Sequence, residues 1–311
     1  MNEENVRTDA KTNVELVQKL VLGTVQLGMP YGINNNAGQP SNDEAFEILR
    51  TAFQHGIRTL DTADAYGSAM ERIGEFHTLE ARNNAASGQI RFNIITKFHA
   101  EATTNLLQKT PKTLANLDVP SLWCYQFHRF SDVAAFPHIH EHLLELKQRR
   151  VIERIGVSVY TNEELHEAAE HSLIDVIQLP FNVLDNMRLR GDGMRKAKAA
   201  GKELHTRSVF LQGLFFKPLE QFPPTLQALV PYIEDIREIS AHEQIALSAL
   251  ALNYVLHNSL IDAVLFGVET PAQLVEILGS VQAHIEASLV ERIEKICVQD
   301  PSLLNPATWK R

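Results

Sequence analysis

Two cysteines in 311 residues, Cys124 and Cys297, are too few and too far apart for a disulfide framework, and a reducing, cytoplasmic setting is expected. No run of 18 apolar residues occurs, which excludes a hydrophobic transmembrane helix. The first residues (Asn2, Glu3, Glu4, Arg7, Asp9, Lys11) are polar and mixed in charge, so no secretory signal is expected. Basic residues are outnumbered: the net charge of -9 argues against a nucleic-acid or anionic-membrane surface. The two basic stretches, Lys147–Arg150 and Arg195–Lys198, lie in helix-like context and read as solvated outer faces. No Gly-x-Gly-x-x-Gly follows any apolar run, so a Rossmann-type nucleotide turn has no support. No Gly/Ser-rich linker or low-complexity tract divides the chain.

What is present is an alternation. Eight short, β-branched apolar runs recur: Leu20–Gln26, Thr59–Thr62, Phe92–Lys97, Leu122–His128, Arg154–Val159, Val176–Phe181, Leu204–Phe210 and Ala263–Val268. None alternates strictly with polar residues, as expected for strands covered on both faces of a parallel sheet. Helical patterns separate them. Asn42–Phe53 follows Ser41 as N-cap; Thr161–Ala169 opens on Thr161 with Glu164 three residues on, a capping box; Thr270–Val281 places Pro271 first after Thr270. Ala241–His257 and Glu286–Val298 read as the last two helices, and the Pro-rich Phe215–Thr225 as a loop insertion. Eight βα units predict an α/β fold, a single-domain (β/α)8 TIM barrel spanning 20–311 behind an N-terminal extension of 1–19.

In such a barrel, chemistry sits at the C-terminal strand ends. The second run ends in Asp61-Thr62-Ala63-Asp64-Ala65-Tyr66-Gly67, the third in Lys97, the fourth in His128. Singly, each has a structural reading: a loop cap, a packing aromatic, a solvent-facing lysine, a loop histidine. Together, an acid, a phenol, an amine and an imidazole converging on one face suit carbonyl reduction without a metal. Hydride addition to a carbonyl carbon leaves an oxygen that must be protonated as its charge develops. A phenol titrates near pH 10, and a neighbouring ammonium would lower it, with a carboxylate holding that ammonium. A neutral imidazole would fix the substrate oxygen. Lys97 as a Schiff-base nucleophile is the competing chemistry, disfavoured because Asp61 beside it opposes the lowered amine pKa that attack requires.

The segment Thr59–Gly67, with Gly74 beyond it, resembles the signature of the aldo-keto reductase family, and Ile95-Thr96-Lys97 and Gln126-Phe127-His128 match its other catalytic blocks. Leu22-Gly23-Thr24, Gly156-Val157-Ser158 and Ile177–Asn182 match further blocks, so the resemblance runs from about Leu20 to Leu278. It implies an NAD(P)H-dependent reductase of an aldehyde or ketone, with Tyr66 as general acid, Lys97 and Asp61 as its tuning pair, and His128 orienting the substrate. It also implies cofactor contacts from Gly23, Thr24, Ser158, Gln178, Arg207, Ser208, Phe210, Gly213, Gly267, Thr270 and Gln273. The family at large favours NADP(H) over NAD(H), and a monomer or weak homo-oligomer acting on a small-molecule, sugar-like carbonyl is expected. The same fold also serves as a non-enzymatic cofactor-binding subunit, which the residue set alone does not separate from an enzyme.

Three departures from the family's pattern stand out. Met70 occupies the position four after Tyr66, where a glutamate is common, and Val159 follows Ser158 where an asparagine is usual. Arg207 stands where a tyrosine commonly stacks on the nicotinamide; a guanidinium plane can stack, but its charge would disfavour the oxidised cofactor. In the loop after the eighth run, Gly267, Glu269 and Gln273 stand where cations often meet a 2′-phosphate.

Overall fold

The computed structural model describes residues 13–83, 90–282 and 284–309. Of the expected N-terminal extension, residues 1–12 lie outside the described residues; residues 13–18 are helical and seat Leu16 in the core. Eight parallel strands close into a barrel in sequence order. They are β1 (Leu20–Gly23), β2 (Thr59–Asp61), β3 (Asn93–Phe98), β4 (Leu122–Phe127), β5 (Ile152–Ser158), β6 (Val176–Pro180), β7 (Glu203–Arg207) and β8 (Ala263–Gly267). Closure is by pairing of β1 with β8, with Gly23 opposite Gly267.

The helices begin where the sequence marks them. Ser41 and Glu44 form a reciprocal capping box on Asn42–Gln54, and Thr161 and Glu164 do the same on Asn162–Glu170. Thr270 caps Pro271–Gly279 by accepting from the Gln273 amide. Each helix lays its apolar stripe on the barrel wall; Ala45, Ile48, Leu49 and Ala52 of the first are all buried.

Several expected boundaries change. The first run stops as a strand at Gly23, and Val25–Gly28 turns helical above the barrel mouth. The seventh stops at Arg207, and the chain enters a strap of 3-10 turns, Leu211–Phe216. The expected helix Ala241–His257 is two helices, Val230–Glu243 and Leu247–Leu256, because Gln244 takes a left-handed φ of 55° that no helix interior accommodates. The second of them is buried from Ser248 to Leu256, which is why its apolar pattern runs on without a polar face.

Strand parity decides what faces the barrel interior, since successive side chains alternate across a strand. Val21, Ile95, Cys124, Val176, Ala263 and Leu265 pack together inside, against Trp123, whereas Leu22, Leu60, Ile94 and Phe127 join the core between barrel and helices. The lower end is closed by Trp123 stacked on His205 at 5.4 Å and by an Arg154–Glu203 ion pair at 3.1 Å. Two residues above each inward apolar position comes another inward one. From Val21, Ile95, Cys124, Val176 and Leu265 that step leads to Gly23, Lys97, Gln126, Gln178 and Gly267, the upper floor on which the site is built.

Candidate active site

Asp61 ends β2 inside this floor, almost fully buried, and its two oxygens are both engaged. Lys97 Nζ donates to Oδ1, and the Gln178 side-chain amide reaches across the barrel to Oδ2 at 2.9 Å. The ammonium also lies 3.4 Å from the Tyr66 hydroxyl and 3.4 Å from the Thr62 carbonyl. Both charges of this pair are desolvated, so the hydrogen bonds around them are what make their burial tolerable. An ammonium held against a carboxylate is the reverse of the free amine that Schiff-base chemistry needs.

Tyr66 sits in the β2 loop, which turns at Gly67. A Cβ there would lie 2.3 Å from the Gly28 carbonyl oxygen, so only glycine lets the phenol loop pack beneath the Val25–Gly28 turn. Burial, followed by the Asp61 carboxylate, holds the phenol above its ordinary value, with Arg207 opposing. Desolvation, and not the lowering expected from Lys97, dominates at the phenol. Tyr66 carries its proton throughout the physiological range.

His128 follows β4, its backbone amide tied to the Phe98 carbonyl at 3.0 Å. Its ring stands edge-on to Tyr66, with centroids 6.1 Å apart at 85°. Burial lowers its pKa to about 3, with Lys97 and His99 adding to that and Asp64 opposing. The imidazole is thus neutral, as the chemistry requires of a hydrogen-bond donor to a carbonyl oxygen. His99 stacks on its other face at 4.3 Å.

These four residues line one end of a cleft of about 540 Å³, a volume in the range of small-molecule sites. From there the cleft runs past Gly23, Thr24, Ser158 and Gln178 to Arg207, Ser208, Phe210 and Gly213 of the strap, and on to Gly267 and Gln273. All of the cofactor residues expected from sequence line it except Thr270, whose hydroxyl caps the helix beside it. Thr24 donates to the Asp61 carbonyl at 3.0 Å and so ties the end of β1 to the end of β2. Gly267 leaves room that a Cβ would lose against the Gln26 amide at 2.5 Å, and Gln26 Oε1 is itself buried without a partner.

Arg207 ends β7 beside that groove. Its guanidinium carbon lies over Tyr160, 4.2 Å from the ring centroid, and the group donates to the Val159 carbonyl at 3.2 Å and to Ser208 Oγ at 3.3 Å. Its Nε is buried with no partner. Tyr160, together with Asn34, Gln212 and Glu276, lines the cleft without having been anticipated. The parity rule could have found Tyr160, two residues beyond Ser158. Of the expected insertion Phe215–Thr225 only Phe216 reaches the cleft. The roof is joined across its span: the Ile33 amide donates to the Gln212 carbonyl at 3.1 Å and the Gln212 side chain to the Tyr31 hydroxyl at 2.7 Å.

A cleft with glycines at β1 and β8, an orphan amide from Gln26 and Gln273 of the helix that Thr270 caps has the lining that a dinucleotide would need. Fold and site together define a barrel oxidoreductase. The chain belongs to the aldo/keto reductase family, whose model matches residues 19–297, and it is an oxidoreductase of a family that uses nicotinamide cofactors.

Among solved structures the chain is similar to aldo-keto reductase AKR11C1 from Bacillus halodurans. The holo form matches at 20% identity and a TM-score of 0.69, over 90% of this chain and 92% of the other. The apo form matches at 22% and 0.65, over 83% and 88%. PA4992 from Pseudomonas aeruginosa, assigned to the aldo-keto reductases, matches at 19% and 0.60, over 85% and 89%. At these identities the likeness concerns the fold. Among curated proteins none matches the sequence. No helix among the described residues is long and apolar enough to cross a membrane.

Proposed function

We propose that this protein reduces an aldehyde or ketone to an alcohol, with Tyr66 as the proton donor. The observation that carries the reading is the Asp61–Lys97–Tyr66 hydrogen-bonded chain, its ion pair buried, with neutral His128 lining the same cleft. The reduced nicotinamide supplies the hydride when bound. Gly23, Thr24, Ser158, Gln178 and the Arg207–Gly213 strap would hold it. His128 donates to the carbonyl oxygen and polarises it. Burial keeps the phenol protonated until that oxygen gains charge; Tyr66 then gives up its proton, and Lys97 stabilises the phenolate left behind. Asp61, fixed by Gln178, keeps the ammonium aimed at the phenol.

The cofactor half of the cleft supports NAD(H), contrary to the NADP(H) preference that the family resemblance suggested. Lys97 and Arg207, both at the catalytic end, are the cations among the described lining residues, whereas the far end carries Glu269 and Glu276. The Glu269 carboxylate reaches toward the Gly32 loop, where a Cβ would stand 3.7 Å from its Oε1. A 2′-phosphate entering there would meet like charge and no counter-ion. Two unpaired cysteines, Cys124 buried and Cys297 exposed, support the cytoplasmic setting.

The test is absorbance loss of NADH or NADPH against aldehydes, ketoses and aryl ketones, with Tyr66→Phe as control. Turnover on none of them, or turnover equal in the control, would overturn the assignment.

A further inference from the structure

Outside the proton-donating chain, a second group of side chains stands at the substrate rim. Asp64, His99 and His128 come from the ends of three adjacent strands, β2, β3 and β4. Their ligand-type atoms all lie within 4.8 Å of one another. The backbones are fixed: the Asp64 amide donates to the Lys97 carbonyl and the His128 amide to the Phe98 carbonyl, each at 3.0 Å. The Asp64 carboxylate is oriented as well. Its Oδ2 accepts from Lys109 Nζ at 2.6 Å and from the His99 amide at 3.3 Å, which leaves Oδ1 facing His99 Nδ1 at 3.4 Å. His128 Nδ1 is buried and has no hydrogen-bond partner.

We propose that Asp64, His99 and His128 form a site for a divalent transition metal, with zinc as the ion best suited to two imidazoles and a carboxylate, and that its occupancy inhibits carbonyl reduction. Three ligands on one tetrahedral zinc stand roughly 3.3 Å apart, a contraction that side-chain rotations of His99 and Asp64 at the rim supply. The Lys109 bond to Oδ2 acts as the outer partner that orients a ligating carboxylate. Of the three ligands, His128 also lines the cleft. Inhibition follows because an ion held on the His128 ring would take up space beside it that the carbonyl oxygen needs. This second half rests on the role of His128 in the proposed reduction; the binding half does not.

Zinc ion titrated calorimetrically into the full chain should bind one per molecule. His99→Ala and, separately, Asp64→Asn should each weaken that binding about tenfold or more. Cobalt(II) in its place should give the intense visible absorption of a tetrahedral centre, lost in the same variants. In the reductase assay zinc should compete with the carbonyl substrate, and its inhibition constant should rise by the same factor in His99→Ala. Absence of zinc binding, or equal binding by wild type and both variants, overturns the site. Zinc bound there with turnover unchanged overturns the inhibitory role. Calorimetry and cobalt absorption need no turnover, so a protein inactive on every carbonyl would still report on the site.

Discussion

Lys97 Nζ lies 3.4 Å from the Tyr66 hydroxyl while Asp61 holds the same ammonium from the opposite side. The amine is thereby shared between the Asp61 side chain and a phenol that becomes charged only while it is giving up a proton. Tyr66→Phe removes the proton donor and keeps the ring, so kcat should fall by roughly 10²–10⁴ while cofactor affinity, read by fluorescence titration, stays near wild type. Lys97→Met also leaves Asp61 buried without its counter-charge. It should cost about 3–5 kcal/mol of stability in a denaturant titration. A Tyr66→Phe enzyme with wild-type kcat would remove the phenol from the mechanism.

The pH profile follows from His128. Burial lowers its pKa to about 3, well under the 6.5 of an exposed imidazole, so it is neutral at every pH where the protein is assayed. Tyr66, held above its ordinary value, stays protonated on the alkaline side. The kcat/KM for reduction should therefore be level from pH 5 to 9 on account of these two groups. The stability consequence has a definite sign. The unfolded imidazole takes up a proton near pH 6.5 and the folded one does not until about pH 3, so His128 destabilises the fold progressively as pH falls through that window. A kinetic inflection near pH 6.5 that disappears in His128→Gln would contradict both statements.

How far the sequence disclosed this follows from which signals are local. Asp61, Lys97 and His128 were legible because each polar residue closes an apolar strand, and strand ends are where a barrel keeps its chemistry. Capping at Ser41 and Thr161 was equally local. The strap after β7 was hidden because Val209, Phe210 and Leu211 prolong the apolar run, while the chain in fact turns on left-handed Ser208, Leu211 and Gln212, none of them glycine. Gln244 broke an expected helix in the same silent way. The balance of charges at Tyr66 was not legible either, because desolvation depends on tertiary packing such as that of its loop against the Val25–Gly28 turn.

Arg207 makes a prediction about redox state. Its guanidinium is anchored over Tyr160 at the groove wall, so its charge is fixed near the place of the nicotinamide. An oxidised ring is cationic and a reduced ring is neutral, so Arg207 should bias binding toward the reduced form. In Arg207→Phe the ratio of dissociation constants, oxidised over reduced, should drop by about tenfold, equivalent to about 1.4 kcal/mol. An unchanged ratio would show that Arg207 is only packing.

Tyr160 is held in turn by a buried ion pair. Arg190 forks onto Asp185 at 2.6 and 2.9 Å and donates to the Tyr160 carbonyl at 3.1 Å, joining the β5 and β6 loops. Asp185→Ala strands a guanidinium in the interior and should cost about 3–5 kcal/mol, read as a fall in the denaturant midpoint. Because the latch also positions Tyr160, cofactor affinity should weaken in the folded fraction. A variant as stable as wild type would mean that water solvates Arg190.

Cofactor choice gives the last prediction, and the sharpest contest between sequence resemblance and structure. Glu269 lines the far end of the cleft, and burial raises its carboxyl above the ordinary value, with a Gln273 hydrogen bond opposing. In its ionised form this glutamate opposes a phosphate dianion, and the described lining supplies no cation nearby. NADH should therefore bind more tightly than NADPH in wild type. Glu269→Lys replaces repulsion by attraction, so the NADPH:NADH affinity ratio should rise by about 10- to 100-fold, or about 1.4–2.8 kcal/mol. The gain should shrink as salt screens the new pair, whereas NADH affinity should hardly respond. Tighter wild-type binding of NADPH, or a ratio indifferent to the charge reversal, would place the 2′ position elsewhere in the groove.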